Sequence, residues 1–230
     1  MTSAEALKRR AAEEALKLVE PGMVIGLGTG STAAHFIDLL ARERLDVRGV
    51  PTSEETRRRA AAAGVDVVEP DETTAIDLAV DGADEVDPSL KLIKGGGGAL
   101  LREKIVASAA KRFVVIADSS KKVAELGRFP LPVEIDRFAW GMTTRRVREA
   151  LGALGFKPAL KLRQGKDRAP FLSDGGNYVL DCPLGRIGDP VALDRALRDI
   201  PGVIETGLFI GLADLVILAG PEGVETLTRS

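Results

Sequence analysis

Cysteine is nearly absent. Cys182 alone in 230 residues leaves no internal disulfide and no multi-cysteine zinc site. Histidine is equally scarce, and His35 by itself offers no ligand spacing for a transition metal. Neither charge sign prevails: 32 Lys and Arg against 34 Asp and Glu leave a formal charge of -2. That balance gives nucleic acid or an anionic membrane nothing to attract. Long apolar runs are missing too. The stretch Leu208 to Leu218 is interrupted by Gly211 and Asp214, short of a membrane span. The opening stretch, Ala4 to Val19, is charged and amphipathic, unlike the apolar core of a signal peptide. Side-chain amides reduce to Asn177 and Gln164, while arginine outnumbers lysine about two to one. Few heat-labile residues among many charges is the pattern of heat-adapted proteins. A thermophilic, cytoplasmic protein is the expectation, with no metal or cofactor and no nucleic-acid or membrane partner.

What is present is enough to fold. An apolar fraction of 45% over this length buries a real core, as one large domain or one and a half. The first half alternates strand and helix. Met23–Leu27 is a strand, Ser31–Arg44 a helix, Val47–Pro51 a strand, and Thr52 with Glu55 forms a capping box for a helix ending at Gly64. Val65–Val68, Leu78–Asp81 and Leu90–Ile93 are further strands. A helix over Ala99–Lys111 then leads to the all-apolar strand Phe113–Asp118. Such alternation builds a parallel sheet covered by helices. Pro130 and Pro132 mark a crossing, since proline is poorly tolerated in a central strand. Beyond them come strand Val133–Ile135, helix Thr143–Leu154, strands Ala159–Arg163 and Asn177–Cys182, helix Pro190–Ile200 and strand Val203–Thr206. That is the split β-α-β order of ferredoxin-like folds. Leu215–Ala219 returns to the first sheet. The expected fold is α/β: a mostly parallel, Rossmann-like sheet covered by helices, spanning residues 1–128 and 207–230. A smaller ferredoxin-like α+β subdomain spans 129–206.

Three segments carry chemistry. Gly26-Leu27-Gly28-Thr29-Gly30-Ser31-Thr32 ends a strand and opens a helix, where bare amides favour an anion. It is not a dinucleotide fingerprint: Ser31 replaces the third glycine, and no acid ends the next strand. Nor is it a Walker loop, since no Lys-Ser/Thr pair follows. Asp81-Gly82-Ala83-Asp84-Glu85-Val86-Asp87 places four carboxylates in seven residues, where mutual repulsion raises some pKa values. A calcium loop is excluded because Leu92 stands where its bidentate glutamate belongs; a magnesium site is compatible with the same acids. Lys94-Gly95-Gly96-Gly97-Gly98 exposes amides beside a positive charge. It leads into a helix on which Glu103 lies just over one turn in, a carboxylate suited to act as a general base. Lys121 follows the buried strand and can reach the same sheet edge. His35 and Cys182 read as structural.

In this order and spacing, the segments resemble the type A ribose-5-phosphate isomerase family. The most specific parts are Gly28–Thr32, Asp81–Glu85 and Lys94–Gly97 through Leu101–Lys104, with Ala117-Asp118 through Lys121 and Phe129–Glu134 agreeing. The resemblance implies an aldose–ketose isomerase acting on a sugar phosphate without cofactor or metal, assembled as a homodimer or dimer of dimers. It implies that Glu103 is the proton-transferring base and that Asp81, Asp84 and Lys94 line the sugar site. Thr29, Gly30, Ser31, Thr32, Gly82, Ala83, Gly95, Gly96, Gly97 and Lys121 then contact substrate. Two alternatives stand beside it. A sugar-phosphate-sensing domain would want a DNA-binding segment, and only about twenty residues precede the first strand. A coenzyme A transferase would use a glutamate nucleophile in a similar glycine setting.

Overall fold

The computed structural model describes residues 3–166 and 168–229. The chain runs α1 (Ala4–Leu16), β1 (Val24–Leu27), α2 (Ser31–Glu43), β2 (Arg48–Pro51), α3 (Glu54–Ala62), β3 (Asp66–Val67), β4 (Leu78–Asp81). It continues through β5 (Glu85–Val86), β6 (Leu92–Ile93), α4 (Leu100–Ala109) and β7 (Phe113–Asp118). Then follow β8 (Leu131–Ile135), α5 (Trp140–Ala153), β9 (Lys161–Leu162), β10 (Tyr178–Cys182), α6 (Pro190–Arg198) and β11 (Val203–Thr206). The last strands are β12 (Leu208–Phe209), β13 (Leu215–Gly220) and β14 (Gly223–Thr228).

The large sheet has the order β14-β13-β7-β4-β1-β2-β3 and is parallel except for β14. Its strands alternate between two buried faces. Ile25, Leu27, Val80, Val114 and Ile116 meet Phe36, Leu40 and the alanines of α1 on one side. Val24, Ala79, Val115 and Val216 meet Val106, Leu92 and Phe209 on the other. Burying a side chain such as Phe36 contributes about 1.5–3 kcal/mol. β1 leads outward to β2 and β3, and the chain then crosses back to β4 on the other side of β1. A crevice therefore opens beyond the carboxyl ends of β1 and β4, the position where open α/β sheets bind ligands.

One glycine sets the depth of that crevice. A Cβ on Gly26 would lie 2.5 Å from Val106 Cγ1 and 2.9 Å from Ala79 Cβ. Its absence lets α4 approach the sheet, and Glu103, nearly one turn before Val106, arrives at the end of β4.

The expected fold class is present. The smaller sheet is antiparallel, in the order β11-β8-β10-β9, with α5 and α6 supplying Val147, Leu151, Leu193 and Leu197 to its core. Numbering its strands in chain order gives 4-1-3-2, the arrangement of a split β-α-β pair. Three local expectations need correction. Ser53, not Thr52, caps α3, accepting from Thr56 N at 3.0 Å, while Thr52 donates its hydroxyl to Leu27 O at 3.0 Å. Pro132 lies inside a central strand, opposite Asp181, where its carbonyl accepts from Gly207 N at 2.7 Å. Strands β5 and β12 also escape the sequence pattern; each has two residues, and with β6 they form a third sheet behind the crevice.

Candidate active site

Lys94 is the centre of the crevice floor. Its backbone is held by Gly207 O, and its ammonium lies 2.9 Å from Asp81 Oδ2, 3.4 Å from Glu103 Oε2 and 2.6 Å from the Gly82 carbonyl it donates to. The Phe209 ring centroid is 5.4 Å away. Lys94 is 2% exposed, Asp81 3% and Glu103 5%, so one positive and two negative charges share a dry pocket. Burial works against the Lys94 ammonium, but Asp81 and Glu103 outweigh it, and the net shift is upward.

The two carboxyls differ in their partners. Asp81 Oδ1 accepts from the amides of Gly82 at 2.7 Å and Thr29 at 3.1 Å, and Oδ2 faces Lys94. Burial pushes its pKa upward against the pull of Lys94 and those amides. Glu103 Oε2 accepts no hydrogen bond among the described residues. Burial, reinforced by the charge of Asp81 and only partly offset by Lys94, carries Glu103 to about 8.

A cleft of about 410 Å³ lies above this floor. Thr29, Gly30, Ser31 and Thr32 from the β1–α2 loop line it, as do Gly82, Ala83 and Asp84 after β4. Lys94, Gly95, Gly96, Gly97, Glu103 and Lys121 complete the set expected from sequence. Asp84 Oδ2 accepts from Gly96 N at 2.8 Å, which ties the acidic loop to the glycine loop. No side chain caps α2, whose first-turn amides are open toward the cleft. Asp81 is the exception. It sits behind the wall, where Gly28 has no side chain: a Cβ there would lie 2.2 Å from Asp81 Oδ1. Its carboxylate reaches the cleft only through Lys94 and the two amides.

This chain matches the sequence pattern of ribose 5-phosphate isomerase A (phosphoriboisomerase A) over residues 48–223. The ribose-5-phosphate isomerase A of Rhodopseudomonas palustris is 54% identical over 229 residues, covering 98% of this chain and 99% of that one. The chain belongs to the ribose-5-phosphate isomerase A family. Among solved structures, a D-ribose-5-phosphate isomerase in complex with phospho-erythronic acid superposes with a TM-score of 0.91 at 44% identity, covering 99% of this chain and all of that one. The enzyme of Methanocaldococcus jannaschii gives 0.89 at 44% identity over 98% of this chain and all of its own. Neither alternative, sensing domain or coenzyme A transferase, finds support among these relatives of the isomerase family.

Further residues at the isomerase-family cleft are not singled out as contacts by the sequence, although Asp118 and Ser120 fall in the stretch Ala117 through Lys121 that resembles the family. Lys8, on α1, lines the cleft and pairs with Glu5 at 2.6 Å; only the packing of α1 over β7 and β13 brings it there. Asp118 and Ser120 line it as well, with Asp118 accepting from Ser120 N at 3.0 Å. His35 pairs with Glu5 at 2.9 Å and does not line the cleft. Cys182 is buried in the smaller core, which pushes its thiol up to about 12. No group of three or more His, Cys, Asp or Glu converges as a metal site among the described residues.

Proposed function

We infer that the protein interconverts D-ribose 5-phosphate and D-ribulose 5-phosphate through an enediolate, with Glu103 moving the proton between carbons. The observation that carries this reading is the buried Asp81–Lys94–Glu103 group, with Glu103 Oε2 facing the Lys94 ammonium but accepting no hydrogen bond among the described residues, at the wall of an anion-suited cleft. In the forward direction Glu103 takes the proton from C2 of the open-chain aldose. The C–H electrons form the C1–C2 double bond, and the carbonyl electrons move to O1. Glu103 then returns the proton to C1, while the proton of the C2 hydroxyl passes to O1 and the C2 carbonyl forms. Lys94 and the amide of Gly97 supply donors for the charge that builds on the enediolate oxygens. The carboxylate of phospho-erythronic acid, the ligand of the related structure, imitates that charge.

The remaining lining residues suit the phosphate. Lys8, Lys121, the hydroxyls of Ser31 and Thr32 and the first-turn amides of α2 form a cationic, donor-rich wall. Ring opening falls to Lys94 backed by Asp81, since Asp81 touches the cleft only through it, with Asp84 receiving a sugar hydroxyl. On this reading residues 1–128 and 207–230 are the catalytic unit, and 129–206 the smaller one. Assembly as a homodimer or dimer of dimers is supported by exposed apolar side chains on the smaller unit, with Phe138 87% and Met142 59% exposed. A cytoplasmic location agrees with a single, buried thiol, and heat adaptation with surface pairs such as Arg59–Asp38 and Lys122–Glu225. Incubation with ribose 5-phosphate in heavy water is the test. Appearance of ketopentose phosphate with deuterium at the carbon beside the carbonyl is expected, and absence of both would overturn the reading.

A further inference from the structure

The glycine loop has no side chains with which to hold its own shape, and glycine loses more freedom on ordering than any other residue. Something outside the loop must aim its peptides. Arg163, just beyond β9 on the smaller sheet, reaches across to it. Nη1 donates to the carbonyls of Gly95 at 2.8 Å and Gly96 at 3.2 Å. Nε and Nη2 donate to the two carboxylate oxygens of Asp181 at 3.1 and 2.5 Å, a fork that fixes the guanidinium plane. The Phe171 ring lies 5.8 Å from the guanidinium, and it occupies the space over Gly98, where a Cβ would meet a ring carbon at 2.4 Å. The backbone of Arg163 is pinned as well, by Val179 O at 2.8 Å and Phe171 N at 2.9 Å.

The consequence follows from peptide geometry. In a trans peptide the C=O and the next N–H point to opposite sides. The Gly95 carbonyl faces Arg163, and the Gly96 N–H faces Asp84 at 2.8 Å. The Gly96 carbonyl also faces Arg163, so the Gly97 N–H is turned away from it, at a residue that lines the cleft. We propose that Arg163, braced by Asp181 and Phe171, is a positioning residue that holds the Gly96 amide on Asp84 and aims the Gly97 amide at the charge developing on the reacting carbons. This rests on the isomerase reading above and assigns the smaller sheet a part in turnover.

The test compares Arg163→Met, Arg163→Lys and Asp181→Asn with the wild type, using ribose 5-phosphate, phospho-erythronic acid as the probe of enediolate charge, and inorganic phosphate as the probe of the phosphate wall. Arg163→Met should lower kcat by about 10- to 100-fold, the cost of a donor misplaced by an ångström or removed. KM should change by less than about threefold, since an amide that acts on developing charge matters little to the bound sugar. Affinity for phospho-erythronic acid should fall in step with kcat, while inhibition by phosphate stays unchanged. Arg163→Lys, which can hold one carbonyl but not the fork, should fall between, and Asp181→Asn should show a smaller loss with the same split. A folded Arg163→Met enzyme with unchanged kcat and unchanged affinity for the acid would overturn the clamp. So would a change confined to KM. If Arg163→Met does not fold, unaltered kcat in both other variants overturns it equally. An inactive wild type would instead refute the isomerase reading, and the clamp with it.

Discussion

Replacing Lys94 with methionine removes the one positive charge from a pocket that holds two carboxyls. Lys94 Nζ lies 3.4 Å from Glu103 Oε2, and at the effective dielectric that suits such sites the attraction is about 5 kcal/mol. At 1.36 kcal/mol per pKa unit this corresponds to between roughly three and four units, so the Glu103 carboxyl, already raised to about 8, would rise further still. The fraction able to act as base at pH 7.5 then falls by roughly 1,000- to 4,000-fold, and at pH 9.5 by only roughly 30- to 150-fold. The assay is kcat/KM for ribose 5-phosphate across that range, with near-ultraviolet circular dichroism as the check on folding. Wild-type kcat/KM should climb through about pH 8 and level off, because the base works only when deprotonated. The variant's deficit should shrink as pH rises. A deficit that stays constant from pH 7.5 to 9.5 would show that Lys94 acts on the substrate alone and leaves the base untouched, and the electrostatic argument would fail.

Glu103→Gln should bind substrate yet lose isomerisation and solvent-proton exchange together, by at least the roughly 10²–10⁴-fold typical of general-base loss. The same variant should be the more stable protein in alkali. The raised pKa means the folded wild type keeps a proton that the unfolded chain releases, so this contribution is complete below about 4.5 and is lost as pH rises through about 8. The melting temperature of Glu103→Gln relative to wild type should therefore increase between pH 5 and 9, and a constant difference would refute the burial argument. Gly28→Ala places a Cβ 2.6 Å from Asp81 Cα, a backbone contact that cannot simply rotate away. It should cost about 1–3 kcal/mol of stability, read by urea unfolding, and turnover should fall with the displaced Asp81. Dialysis against a strong chelator should leave the rate unchanged; a loss restored by a divalent ion would overturn the metal-free mechanism.

What the sequence determined by itself was mostly local. Apolar strands, capped helices and three glycine- or acid-bearing turns follow from the periodicity and backbone freedom of neighbouring residues, and they place Thr29, Asp84 and Lys94 beyond strand ends and Glu103 in the first turns of a helix. The family's motif spacing was equally legible. The tertiary structure decided the rest. Asp81 stands behind the cleft wall because β4 pairs with β1 in a register that sets Gly28 against it. Lys8 enters the cleft because α1 packs across β7 and β13, and Arg163 meets the glycine loop because β9 joins the smaller sheet beside it. Pro132 sits in a central strand because its carbonyl, which it retains, has Gly207 N–H as its partner. Glu103 and Lys104 are adjacent in sequence and look alike there as members of a charged helix face. Yet Glu103 faces Lys94 at the floor of the cleft, whereas Lys104 pairs with Glu205 of β11 at 2.8 Å. Charge and helical phase are local properties. Burial and the identity of the facing partner are set by strands and helices far away in the chain, and they turn an ordinary glutamate into a base near neutral pH.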